Sequence, residues 1–346
     1  MKFKSILALL LVAILTLSVV ACSGGDATTD TATQSGGNSS SQQSAGGDTS
    51  DDVTVRVAAL SGSTGLGMAK LMTDSAAGTT SNTYSFEVFD SPEMLIPEIT
   101  AKKYDIAALP TNVAAKLYNK TKGELQMLAI NTLGVLYMLE IGTNNIASVA
   151  DLRGKTIYTT GQGATPEYAL RYILEQNGLT PGEDVEIVYE ATAEGVDAHA
   201  QEGAILMLPE PKVTAMKNKI QNVNVVLDIT EEWNKVCDTP MAQGCVVVTK
   251  SFAQAHPDAV ATFLAEYEAS INFVKENVTE ASQMVASHGI IPAAPVAAKA
   301  IPNSNLTFSA GAAMKAILAP FYQVLFDADN ASVGDKLPAD DFYYGA

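Results

Sequence analysis

Val57-Ala58-Ala59-Leu60-Ser61-Gly62-Ser63-Thr64-Gly65 is a short apolar run that stops at small residues and then opens into helical spacing. A strand covered by helices on both faces reads as a continuous apolar run, so this stretch marks a strand-to-helix turn of an α/β protein. The pattern recurs. Pro110, in Leu109-Pro110-Thr111-Asn112, lies 49 residues after Ser61, and Pro209, in Leu208-Pro209-Glu210-Pro211, lies 48 residues after Gly161 of Gly161-Gln162-Gly163-Ala164-Thr165. The two pairs are offset by 100 residues at the first element and 99 at the second. Order and spacing together predict two halves with one internal wiring.

Working outward, further apolar runs punctuated by Gly, Pro, Ser or Thr predict strands over 53–60, 106–109, 134–141, 156–159, 185–189, 205–208, 223–227 and 245–249. Helical spacing follows several of them, as over 166–176 and over 258–276, where Val260, Phe263, Leu264, Tyr267, Ile271 and Val274 share a face. The alternation predicts parallel α/β architecture. Turns that open directly into helices leave free backbone N–H groups, which with the helix dipole favour acceptor or anionic atoms. In open α/β sheets, ligands bind at the carboxyl ends of the strands. The same turns are equally ordinary helix caps, with Ser63, Thr64, Asn112 and Thr165 serving their own helices.

The composition narrows the function classes. With 21 basic against 38 acidic residues the net charge is −17, and no basic cluster is present, which argues against a nucleic-acid partner. Three cysteines and three scattered histidines fit neither a disulfide framework nor a zinc enzyme, so no metal or cofactor is expected. Lys2 and Lys4 precede an apolar or small run over 6–20, too short to span a bilayer as a helix, and residues 1–21 read as a signal peptide. Val19-Val20-Ala21-Cys22 resembles a bacterial lipobox, which implies cleavage before Cys22, acylation of that cysteine and localisation at the outer face of a cell membrane. Loss of Lys2 and Lys4 would deepen the charge to −19. Residues 22–52, rich in Ser, Thr, Gly, Gln, Asn and Asp, read as a disordered tether.

The chain resembles the solute-binding lipoproteins of ABC importers in the nitrate/sulfonate/taurine (SsuA/THI5-like) group. The resemblance rests on residues 57–65, on Tyr104-Asp105-Ile106-Ala107-Ala108-Leu109-Pro110-Thr111-Asn112, on Asp151-Leu152-Arg153-Gly154-Lys155-Thr156-Ile157, on 161–165 and 208–211, and on His256-Pro257-Asp258-Ala259-Val260. It implies a type II periplasmic-binding fold, two lobes with a hinge of two crossing strands. Lobe 1 would hold residues 53–131 and 246–346, and lobe 2 residues 132–245. Carried over by position, the ligand-binding residues are Ser63, Thr64, Pro110, Thr111, Asn112, Asn131, Gly163, Ala164, Thr165 and Glu210, with Trp233 or Met241 as additions. The implied partners are a small-molecule ligand, a membrane permease and its ATPase, and the implied state is a monomer.

Departures limit the ligand. Arg56, Arg153 and Arg171 are the arginines of the chain, and none falls in an expected cleft loop, so a bidentate clamp for an anion is not visible. The acidity also discourages an anionic ligand. A neutral, zwitterionic or cationic heterocycle fits as well, with Glu210 either an amine partner or an acid in the first turn of its helix, and Trp233 either a stacking plane or plain packing. Cys237 and Cys245 leave open a disulfide or two free thiols. Hydrolase motifs such as Gly-x-Ser-x-Gly or His-Glu-x-x-His are missing, so a binding protein is expected rather than an enzyme. A sensing receptor of the same fold and, further off, a surface hydrolase are the alternatives.

Overall fold

A computed structural model describes residues 53–346. The signal peptide over 1–21, the acylated Cys22 and the tether over 22–52 lie outside the described residues. The strands, in chain order, are β1 (Thr54–Leu60), β2 (Thr83–Phe89), β3 (Ile106–Pro110), β4 (Leu125–Thr132), β5 (Leu136–Ile141), β6 (Thr156–Thr159), β7 (Glu186–Tyr189), β8 (Ile205–Pro209), β9 (Val223–Asp228), β10 (Gly244–Thr249) and β11 (Leu306–Ala310). They form two mixed sheets, one ordered β11-β4-β10-β3-β1-β2 and the other β7-β6-β8-β5-β9.

The parallel expectation is corrected: β11 pairs antiparallel with β4 at the sheet edge, and two inner strands are reversed. β10 runs antiparallel between β3 and β4, and β5 runs antiparallel between β8 and β9. β5 and β10 are each the first strand after the chain has passed from one sheet to the other, so each enters the new sheet from the opposite end. The parallel parts repeat closely. β1 pairs with β2 and β3, as β6 pairs with β7 and β8. Val57 lies opposite Ile106 and Ile157 opposite Ile205, so the sequence spacings of 49 and 48 are the registers of these two strand pairs.

Burial follows strand position. In β1, Ala58 and Leu60 join one apolar cluster while Val55, Val57 and Ala59 join another on the opposite face, as expected for a strand covered on both sides. The first cluster continues into the second sheet through Met138, Ile157, Ile205 and Met207, and a third covers that sheet's other face around Leu139, Leu206 and Leu208. The two passages between sheets are tied together. Gln243 donates its N–H to Thr132 O at 3.0 Å, and its Oε1 accepts the Val135 N–H at 2.7 Å.

Glu140 on β5 is a buried carboxylate with four donors: Thr143 Oγ1 and Asn145 N at 2.6 Å, Ile146 N at 3.1 Å and Asn145 Nδ2 at 3.2 Å. Burial pushes the carboxyl up, but the donors outweigh it and hold it below the usual range. Its contribution to stability is therefore complete above the ordinary glutamate value and is lost as pH falls through the depressed folded value. Glu140→Gln should cost roughly 1–3 kcal/mol at pH 7. Chemical denaturation from pH 7 to pH 3 should show that gap closing at the acid end, and a gap independent of pH would count against this role.

Cys237 and Cys245 are free thiols in this structure, one of the two states left open for them. Cys245 is buried in β10 and donates weakly to Leu109 O at 3.3 Å. Cys237 ends the helix Ile229–Val236, partly exposed, and burial raises both thiols.

Candidate functional site

The carboxyl ends of β1, β3 and β8, together with the turn after β6, converge on one cavity of about 460 Å³. Its wall includes Ser61 to Thr64 after β1, Pro110, Ala164 to Pro166, Pro209 to Lys212, and the crossing residues Thr132, Val135 and Gln243. Ile290, Ile291 and Pro292 close it from the segment after the helix Val278–Ser287. The wall combines prolines and aliphatic side chains with several serine and threonine hydroxyls, and among the described residues it has no aromatic side chain and no arginine.

The β1 turn depends on Gly62, whose φ of +84° is a conformation that only glycine adopts without strain. Its N–H donates to Ile290 O at 2.9 Å, bringing the Ile290 segment over the turn. Ser63 Oγ then donates across to Glu210 O at 2.9 Å. A second contact between the two sheets' segments lies at Gly163. Its carbonyl accepts from Lys116 Nζ at 2.8 Å and Asn112 Nδ2 at 3.4 Å, while Thr165 Oγ1 reaches Asn112 Oδ1 at 3.3 Å.

Of the residues expected at the site, Ser63, Thr64, Pro110, Ala164, Thr165 and Glu210 line this cavity. The others are not on its wall. Thr111 is fully buried, with Oγ1 on Ala242 O at 2.6 Å. Asn112 spans to Gly163 and Thr165, and Gly163 meets it through its carbonyl. Asn131 donates to Thr64 O and Tyr267 Oη and accepts from Thr132 Oγ1, which uses its polar atoms within the protein. Trp233 and Met241 are in the apolar core. Trp233 packs between Tyr172 and Phe321, with ring centroids 5.1 and 5.7 Å away, and its Nε1 donates to Thr239 O at 2.7 Å.

Glu210 needs a finer correction. Its main chain faces the cavity, with N–H on Val135 O and carbonyl on Ser63. Its carboxylate instead accepts Thr214 N at 3.2 Å and Thr214 Oγ1 at 2.9 Å, next to the helix Lys212–Lys219. The carboxyl is an acid at the start of its helix rather than an amine partner in this cavity. Among the charged residues on the wall, Lys212 pairs with Glu194 at 3.5 Å. The Ile290–Pro292 segment, Asp90 and Gln243 are wall residues that the sequence reading does not mark.

Among the described residues no helix is long and apolar enough to cross a membrane. Solved structures with this arrangement include periplasmic binding proteins. The periplasmic aliphatic sulphonate binding protein SsuA of Escherichia coli superposes with a TM-score of 0.68 at 16% identity, over 84% of this chain and 92% of that one. An ABC transporter protein from Parabacteroides distasonis gives 0.67 at 22% identity, over 84% and 98%. The alkanesulfonate-binding SsuA from Xanthomonas axonopodis pv. citri, bound to MOPS, gives 0.62 at 14% identity, over 83% and 94%. At these identities the likeness establishes the fold, a two-sheet α/β periplasmic-binding fold. No curated protein matches the chain in sequence. By sequence the chain belongs to the Menaquinone biosynthesis family, VitK2_biosynth, whose family model matches residues 68–325. This differs from the sulfonate-group resemblance, although the fold is the same.

Proposed function

We propose that the protein is the extracytoplasmic solute-binding subunit of an ABC importer, a monomer anchored through acylated Cys22 and presenting its ligand to a membrane permease driven by an ATPase. The observation that carries this reading is the cavity of about 460 Å³ at the strand carboxyl ends, walled by both sheets' segments and backed by the two crossings. Its volume lies within the range of small-molecule sites, roughly 300–1,000 Å³. The hydrogen-bonded crossings at Gln243 form the hinge, and residues 53–131 with 246–346 move as one lobe against 132–245. The wall chemistry favours a compact molecule with an apolar body and a few hydrogen-bonding groups, and gives a sulfonate no arginine to bind.

Native mass spectrometry of gently purified protein should detect a bound small molecule. Saturating ligand at about 100 times its dissociation constant should add about 2.7 kcal/mol, a melting-temperature rise of roughly 5–10 °C. If no molecule co-purifies and a broad panel shifts nothing, the binding reading fails. Membership of a family described by menaquinone biosynthesis favours a second reading, a biosynthetic step on a molecule held in the same cavity. A binding subunit returns its ligand intact after prolonged incubation, whereas an enzyme returns it chemically changed.

A further inference from the structure

Glu210 belongs to two cavities. Besides the one at the strand ends, it lines a second of about 460 Å³ with Tyr137, Val213, Thr214, Lys217, Asn218, Val225, Lys299 and Asn303. The side-chain contacts point its carboxylate to this second space. The carboxylate is held by Thr214, the Lys217 ammonium acts on it, and the residue is 4% exposed. Burial holds the carboxyl above its ordinary value, which Thr214, Lys217 and Asn303 only partly offset. No lysine or arginine among the described residues forms an ion pair with it.

The opposite charge stands at the rim. Among the described residues Lys217 makes no ion pair, and Lys299 bonds only a neutral group, Asn218 Oδ1 at 2.8 Å. Half of the sixteen lysines among the described residues pair with a carboxylate, and Lys217 and Lys299 are two of the unpaired ones that meet at one cavity. Val213 and Val225 supply an apolar floor. Lys217 and Glu210 come from the β8 side, whereas Lys299 and Asn303 come from the segment leading to β11, and Tyr137 Oη donates across to Asn303 O at 3.0 Å.

We propose that this second cavity is an accessory site for a small zwitterion, with the ligand's ammonium on the Glu210 carboxylate and its carboxylate on Lys217 and Lys299. An aliphatic body between the two charges rests on Val213 and Val225. The occupant touches both sheets' segments and so bridges them outside the strand-end cavity. This site is separate from the strand-end cavity, because the two share only Glu210 and use different atoms of it.

Isothermal titration of the full chain with L-leucine, 4-aminobutanoate and glycine betaine tests the site, and the three probes report the required spacing and bulk at the ammonium. At least one should bind, and N-acetyl-L-leucine and L-leucinamide, each lacking one charge, should not. Lys217→Ala with Lys299→Ala, both exposed positions, should weaken binding at least tenfold, as should Glu210→Gln. Ala164→Arg, which fills the strand-end cavity, should leave it unchanged. Absence of heat from all three probes overturns the proposal, as does binding that survives the lysine double variant or disappears in Ala164→Arg. Zwitterion binding that follows the lysines, with no molecule ever found in the strand-end cavity, would uphold this site and count against the importer reading.

Discussion

Trp233→Ala should lower the free energy of unfolding by about 3–5 kcal/mol, a large part of the roughly 5–15 kcal/mol typical of a whole domain. Trp233 is fully buried, and the space left by its indole would face Tyr172 from one side and Phe321 from the other. Those rings sit on the helices Thr165–Gln176 and Gly311–Ala328, which cannot both move inward without disturbing Thr239, whose Oγ1 donates to Ile317 O at 3.0 Å. The Thr239 carbonyl would also lose its indole donor. Urea denaturation of the variant, compared with Trp233→Phe, checks this. Phenylalanine keeps much of the volume and should cost clearly less. Equal losses would mean that the indole hydrogen bond, not the packing, dominates.

The second large effect is expected at Gly65. A Cβ built on this residue lies 1.9 Å from Leu60 O and 3.3 Å from Ile290 Cγ2, so alanine cannot be accommodated without moving the backbone of the β1 turn. Strand β1 lies inside its sheet between β3 and β2, and the turn carries Gly62, Ser63 and the Ile290 contact. The strain therefore falls on the core and the cavity together. Gly65→Ala should cost at least about 3 kcal/mol. Gly154→Ala is the control. Its φ of +74° makes alanine strained, yet nothing lies within 4 Å of the new Cβ, so the cost should stay near 1 kcal/mol. Soluble, normally melting Gly65→Ala protein would show that the turn can shift, and would remove the argument for a fixed cavity wall there.

Much of the fold is readable in the chain because the strands between helices are continuous apolar runs. The expected strand over 156–159 coincides with β6, and those over 106–109, 205–208, 223–227 and 245–249 miss β3, β8, β9 and β10 by one residue at one end. Strands β2, β4 and β11 are not marked. β2, Thr-Tyr-Ser-Phe-Glu-Val-Phe, is a half-exposed edge strand that alternates rather than running apolar. β4 carries Leu, Gln, Met and Ala, which suit a helix as well as a strand, and only its place beside β10 decides the matter. The direction of β5 and β10 is not a local property at all.

The site was legible where it is made of turns and not where it is made of distant partners. Ser63, Ala164 and Pro110 follow from strand-end spacing. Thr111 and Asn112 have the same spacing, but Ala242 and Gly163 arrive from over 50 residues away to occupy their polar groups. The Ile290 and Ile291 lid comes from more than 220 residues downstream of the β1 turn, with no periodic signal to announce it.

The late arrival of β10 between β3 and β4 bears on the order of assembly. All five strands of the β5-to-β9 sheet lie within one uninterrupted segment, whereas the other sheet keeps a gap between β3 and β4 until residues 244–249 have been delivered. A chain emerging from its N-terminus can finish the later sheet before the earlier one. Local pairings form faster than distant ones, so the first half of the sequence completes its sheet last, with β1, β2 and β3 waiting for a strand made more than 130 residues after β3.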